Sequence, residues 1–329
     1  MHRVKVTGWF LILLAAACLV YPGCKRPQSD VRVLVAADDH EADYPTTQGL
    51  YKMAELVKER SNGRIVIEIR HSASAGSEKE TIEKTQTGAL DINRVNVNPV
   101  AQLVGEMKVL ALPYIFRDEA HMHKVVDGPI GRELLDKLQA KGLVGLAYYD
   151  SGQRSFYATK PLRSMRDLQG LKIRVQKAKI MRDMVAAVGA IPMEMAFEEV
   201  YTGLQTGLID GAENNYPSWV SKKHNEPARH YLQDGHSRVP EVILFSRKVW
   251  ETLSAEDQQL IRQAAIDSVA YQRKLWDDYV DQAVQQAKDE GCTIVTDVDT
   301  AAFQKAMQPV WTEHGAGLEE WIERIQAVE

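Results

Sequence analysis

Along the first hundred residues, short runs of branched apolar side chains alternate with longer stretches whose apolar positions recur every three or four places. Val31-Arg-Val-Leu-Val predicts a strand, and the polar Ala36-Ala-Asp-Asp-His40 follows its carboxyl end. Residues 46–60 place Leu50, Met53, Ala54 and Val57 on one helical stripe, and Ser61-Asn62-Gly63 stops it. Residues 64–70 predict a second strand. Ser77-Glu78 opens a helix with Ile82 and Thr85 on its inner side, Gly88 ends it, and residues 89–97 predict a third strand. This β-α-β-α-β order favours a parallel sheet covered by helices. A hydrophobic crossover at 110–116, helices at 121–126 and 130–141 and a strand at 143–149 follow. The chain then turns at Asp150-Ser151-Gly152, where a second unit is expected to begin.

The second unit repeats the pattern. Strands are predicted at 155–159, 171–175 and 190–195, the last at a sheet edge or a strand start because of Pro192. Helices are predicted at 180–188 and 197–206. Residues 208–211 predict a short strand running into a tight polar turn, Asp210-Gly-Ala-Glu-Asn-Asn215, and residues 239–246 a strand returning to the first unit. From Ser254 to Glu290 there is neither proline nor glycine. Ser254-Ala-Glu-Asp makes a good N-cap and Gly291 follows the last turn. Unbroken, that helix would run roughly 55 Å, longer than one small unit, and so would lie across both.

Composition refines this picture little. The chain has 329 residues, 45% hydrophobic and 26% charged, which excludes disorder and a multi-span membrane protein. A net charge of −5 without a basic-aromatic run argues against a nucleic-acid partner. Residues 1–23 read differently. His2, Arg3 and Lys5 precede a twelve-residue apolar run, Trp9–Val20, too short to span a bilayer and fitting an export signal. Gly23-Cys24 then offers a lipidation cysteine before a polar tether at 24–30, although Tyr21 and Pro22 suit that motif poorly, so lipid anchoring at Cys24 and ordinary cleavage both stay open. Cys292 sits in an apolar strand pattern and reads as a small core residue.

The motifs of common enzyme classes are missing: no G-x-S-x-G, phosphate loop, G-x-G-x-x-G, H-E-x-x-H or C-x-x-C. His121 and His123 are two apart in a helical segment and face apart, a poor metal pair. No metal, cofactor or catalytic residue is expected. Arg174 is the sharper signal. It shares a strand face with Lys172 and Gln176 and needs an acceptor, either an internal carboxylate or a bidentate ligand carboxylate. Arg154 reads as a loop arginine just before a strand, Asn214 as part of an Asx turn or cap, and Glu78 as a capping carboxylate.

Four segments carry a family resemblance: Ala75-Gly-Ser-Glu-Lys-Glu-Thr-Ile-Glu83 with Thr87-Gly-Ala-Leu-Asp-Ile92; Asp167-Leu-Gln-Gly-Leu-Lys-Ile-Arg-Val175; Gly189-Ala-Ile-Pro-Met193; and Glu199-Val-Tyr-Thr-Gly-Leu-Gln-Thr-Gly-Leu-Ile-Asp-Gly-Ala-Glu-Asn214. In these the chain resembles the solute-binding proteins of tripartite ATP-independent periplasmic (TRAP) transporters, the DctP-like family. The resemblance implies a periplasmic-binding-protein-like α/β fold: two α/β lobes around a ligand cleft, hinge strands and a long helix spanning both lobes. One lobe would comprise 31–151 with about 239–270, the other 152–238 with about 271–329. It implies a periplasmic, non-catalytic, monomeric receptor that hands an organic acid to membrane permease subunits, with Arg174 gripping the ligand carboxylate and Arg154, Asn214 and Glu78 around the same cleft. Asp39-His40, Asn93-Arg94, residues 214–219 and 236–241 look like the sugar-acid (hexuronate) branch. On that branch His40, Glu78, Asn93, Arg94 and Glu213 would meet hydroxyls, and Tyr216 or Trp219 would pack on the sugar ring. Glu41 stands where many members carry proline. The alternatives are a C4-dicarboxylate ligand held by Arg154 and Arg174 together, a secreted sugar-acid lyase or isomerase with Glu78 or His40 as base, and a sensor partner in place of a transporter.

Overall fold

Apart from His2, the computed structural model describes Val31–Glu329, so the expected export signal and Cys24 lie outside the described residues. Two sheets organise the chain. The first has the order β2-β1-β3-β10-β4, built from β1 (Arg32–Ala37), β2 (Ile65–Arg70), β3 (Ile92–Asn96), β4 (Leu143–Tyr149) and β10 (Glu241–Ser246). Strands β1, β2 and β3 run parallel, and β10 enters antiparallel between β3 and β4. The second has the order β11-β9-β5-β8-β6-β7, from β5 (Arg154–Ala158), β6 (Lys172–Val175), β7 (Ile191–Glu194), β8 (Gly211–Asn214), β9 (His230–Ser237) and β11 (Thr293–Val295). Pro192 sits in the edge strand β7, where a missing N–H costs no ladder bond.

The expected polar turn at 210–215 is instead the strand β8, fully buried between β5 and β6. Two local facts explain the difference. Gly211 is needed for close approach, because a Cβ there would lie 2.3 Å from the Tyr157 carbonyl. Glu213 and Asn214 find buried partners, described below, so polar residues can occupy a central strand. Asp210 does the turn's work from just outside, accepting from the Lys172 N–H at 2.9 Å. Strand β9 carries little alternation and was not predicted.

Two crossovers join the sheets, at 150–153 between β4 and β5 and at 238–240 between β9 and β10. They are tied together, Ser151 Oγ donating to the Val239 carbonyl at 2.8 Å. The long helix, Ala255–Asp289, begins at Ser254, whose side chain accepts from the Asp257 N–H. Its first half packs Ile261, Ala264, Ala265 and Val269 into the core of the first sheet, and Ala283 and Ala287 join the core of the second. Midway, the Gln272 amide bonds both backbone groups of Asp150, at 2.9 and 3.0 Å. Trp276 covers Gly152, whose φ of +65° is a conformation natural to glycine. Among the described residues, no helix is long and apolar enough to cross a membrane.

Candidate ligand-binding site

The carboxyl ends of β1, β3 and β6 converge on a chamber of about 410 Å³ that continues into a polar recess of about 20 Å³. Asp39, Glu78, Arg174, Gln176 and Phe197 line both. The recess has room for about one water-sized group, so a larger ligand would place its body in the chamber.

Arg174 is 3% exposed and forms a cation–π contact with Phe197, 5.7 Å from the ring centroid. Its Nε donates to the Met195 carbonyl at 2.9 Å, which fixes the plane of the fork. No carboxylate among the described residues lies within 4.0 Å of it, and its two Nη groups bond no described residue yet are not sealed in the core. Burial lowers its pKa, partly offset by the Glu213 carboxylate. An uncompensated buried guanidinium with two parallel donors facing a chamber is arranged to receive a planar anion.

The other buried arginines are already saturated. Arg154 donates through Nε and Nη2 to the two Glu213 carboxylate oxygens, at 2.6 and 2.8 Å, and through Nη1 to Asn214 Oδ1 at 2.8 Å. Burial pushes the Glu213 carboxyl up, but Arg154 and His236 outweigh it and bring it to about 2. His236 in turn bridges Asp234 and Glu213, whose charges overcome burial and hold the imidazolium to about 9. Arg94 is paired with Asp38, with Asp39 and with Glu241, the last at 2.8 Å.

Glu78 departs from the capping role expected of it. Glu80 completes the capping box, accepting from the Ser77 N–H at 2.8 Å. That leaves Glu78 free to turn inward, where Oε1 accepts from the Asn96 N–H at 2.7 Å and Oε2 from Gln176 Nε2 at 3.1 Å. Burial, with Asp39 and Glu241 nearby, raises its carboxyl to about 8. It is therefore mostly protonated at neutral pH and can also donate one hydrogen bond. His40 lies stacked on Tyr44 at 3.7 Å and is kept neutral by burial.

Of the residues singled out in the sequence, the structure brings together Arg174, Arg154, Glu78, His40, Arg94 and Asn214 around the recess. Four others it places elsewhere. Asn93 is on the opposite face of β3 from Arg94 and Asn96, as strand alternation requires, and does not line the recess. Glu213 is 0% exposed behind Arg154 and has no free oxygen for a hydroxyl. Trp219 is also fully buried, its Nε1 donating to the Ala228 carbonyl at 2.9 Å, so it cannot stack on a ligand here. Tyr216 stacks on Tyr231 and faces a separate cavity of about 290 Å³. In the helix Tyr216–Ser221 it is Ser218, with the N-cap Asn215, that faces the recess. Phe197, Gln176, Met195 and Glu241 were not singled out as contacts. Gln176 was legible in principle, since it shares the strand face of Arg174. His121 and His123 do face apart, His121 onto the Ile325 carbonyl and His123 onto Asp150.

Several bonds cross the cleft directly. Tyr44 Oη meets Ser218 Oγ at 2.8 Å, Lys222 reaches the Glu41 carboxylate at 2.7 Å, and Gln176 accepts from Asn98 Nδ2 at 2.8 Å.

Two α/β sheets joined by paired crossovers, with a polar chamber between them and a helix running past both, define a solute-binding protein. Residues 36–317 match the bacterial extracellular solute-binding protein family 7, DctP, and the chain belongs to that family. It is similar to a TRAP periplasmic solute-binding protein from a Bradyrhizobium species solved with galacturonate: 45% identity, TM-score 0.88, covering 90% of this chain and 99% of that one. It is likewise similar to one from Citrobacter koseri solved with D-glucuronate: 38% identity, TM-score 0.89, covering 91% and 100%. A C4-dicarboxylate-binding periplasmic protein from Rhodobacter capsulatus is 34% identical over 82% of this chain and 83% of its own.

Proposed function

We propose that the chain is the periplasmic receptor of a TRAP transporter, binding a hexuronate-type sugar acid without transforming it and delivering it to membrane permease subunits. The observation that carries the ligand class is the contrast among the buried arginines. Arg94 and Arg154 are spent on internal carboxylates, and Arg174 alone presents an unpaired fork to the chamber. One available guanidinium suits one carboxylate. A C4-dicarboxylate would need a second, and Arg154 could supply it only by giving up its two-point bond to Glu213, which would leave that buried carboxylate with His236 as its remaining charged partner. Glu78, Asp39 and Gln176 supply mixed donors and acceptors for hydroxyls beside that carboxylate. The hexuronates in the similar structures support the same class.

Binding would occur as residues 31–151 with about 239–270 close on 152–238 with about 271–329, ligand shifting an open–closed equilibrium. Export would follow from the 1–23 leader, with Cys24 the anchoring point if lipidated.

Titration calorimetry with galacturonate, glucuronate, succinate and malate tests the ligand class. Arg174→Lys replaces a fork with one point donor and is expected to cost about 10–100-fold in uronate affinity. Unchanged affinity in that variant would remove Arg174 from the carboxylate site. Recovery of the sugar at unaltered mass after long incubation separates a receptor from a lyase. An altered mass would overturn the non-catalytic reading.

A further inference from the structure

The chamber is larger than one sugar ring requires. At about 410 Å³ it falls in the roughly 300–1,000 Å³ range that encloses drug-sized ligands. It is also differentiated along its length. At its inner end Arg174, Glu78, Asp39 and Gln176 form the grip already described. Farther out the wall carries an apolar strip, Ile82, Pro99, Leu103 and Met195, rimmed by the amides of Gln86 and Gln102 and by the carboxylates of Glu83, Glu194 and Glu198. Apolar patches edged by amides match the two chemistries of a pyranose, its C–H faces and its hydroxyl rim. Two cations, Lys79 and Lys177, also line this outer part. Lys79 is shared with Glu83 at a loose 3.9 Å. Lys177 has no carboxylate within 4.0 Å among the described residues, and Glu194 on the same wall is already taken by Arg182.

We infer that the chamber accepts an acidic disaccharide: one uronate unit gripped at Arg174, with a second, glycosidically linked uronate lying along Ile82, Leu103 and Met195 and its carboxylate facing Lys177. The inference rests on the sugar-acid reading of the inner grip and extends it from a monomer to a short oligomer. Either end of a diuronate carries a carboxylate for Arg174, so the chamber need not distinguish which unit enters first.

The test is calorimetry with galacturonate and digalacturonate on the parent chain and on Lys177→Ala and Gln102→Trp. Digalacturonate is expected to bind at least as tightly as galacturonate. Lys177→Ala removes one partly solvated ion pair and should weaken digalacturonate by about 2–5-fold while leaving galacturonate unchanged. Gln102→Trp fills the outer wall and should weaken digalacturonate by about tenfold or more, again sparing galacturonate. Digalacturonate binding a hundredfold more weakly than galacturonate would overturn the outer subsite and leave the monomer reading standing. Equal losses for both sugars in the two variants would overturn it as well. If neither sugar binds the parent chain, the sugar-acid reading itself falls, and the outer subsite with it.

Discussion

Arg154 and Arg174 both stand on strands of the second sheet, yet one is paired inside the protein and the other is not. An arginine on a strand announces that it needs an acceptor, but its spacing does not say whose. Arg154 reads in sequence as a loop arginine ahead of a strand and Arg174 as a strand arginine, and only the long-range pairing of β5 with β8 places Glu213 beside the first and leaves the second unpaired. Glu78 was legible as a helix-start acid, yet Glu80 does the capping and Glu78 turns into the cleft. Its burial yields a pH prediction. A carboxyl raised to about 8 when folded, from 4.5, means the folded state binds the extra proton between those values. Stability therefore falls as pH rises from about 4.5 to about 8, by up to one proton's slope, and is flat above. Glu78→Gln carries no ionisable group, so its stability relative to the parent should rise across that window and level off beyond pH 8. Urea melts at pH 5, 7 and 9 would show this, and a constant difference at all three would mean that Glu78 is ionised throughout.

Elements were more legible than sites. The periodicity of the helices and the branched runs of β1, β2 and β4 are local signals that tertiary context reinforces. The long helix declared itself through its cap, its terminal glycine and the absence of breakers between them. Strand β8 was misread because glycine, asparagine and aspartate usually mark turns, and its burial depends on partners far away in sequence. Strand β9 escaped because its residues, His-Tyr-Leu-Gln-Asp-Gly-His-Ser, alternate poorly and satisfy their polar groups through β5. The crossover at Gly152 was visible as a turn, but not its lid. Gly152→Ala must hold a positive φ, costing about 1–2 kcal/mol, and its Cβ would sit 2.9 Å from the Trp276 indole. A loss of about 2 kcal/mol or more is expected in chemical denaturation, and a loss under 0.5 kcal/mol would show that this crossover can relax freely.

At the scale of the molecule, the order of elements favoured layered α/β halves, whereas the insertion of β10 between β3 and β4 is a pairing that no local pattern encodes. The bonds across the cleft belong to this scale too. Lys222 and Glu41 tie the two sides while remaining partly solvated. Lys222→Ala should leave the unfolding midpoint unchanged and weaken uronate binding by about 2–5-fold, through faster dissociation, because only the closed form loses a contact. Stopped-flow dissociation beside a thermal melt measures both. An unaltered off-rate would mean that this pair does not hold the cleft shut.

The helix Ala255–Asp289 gives the receptor a mechanical property. Its two ends are cemented into different cores, and its middle is pinned to Asp150 and Gly152 at the crossover. Any rotation of one sheet against the other must bend this unbroken rod or slide one of its ends. Long helices yield by gentle curvature more readily than by breaking. A rod clamped in this way would resist such a rotation like a leaf spring, and would push the cleft back toward its resting angle once the bound acid had left.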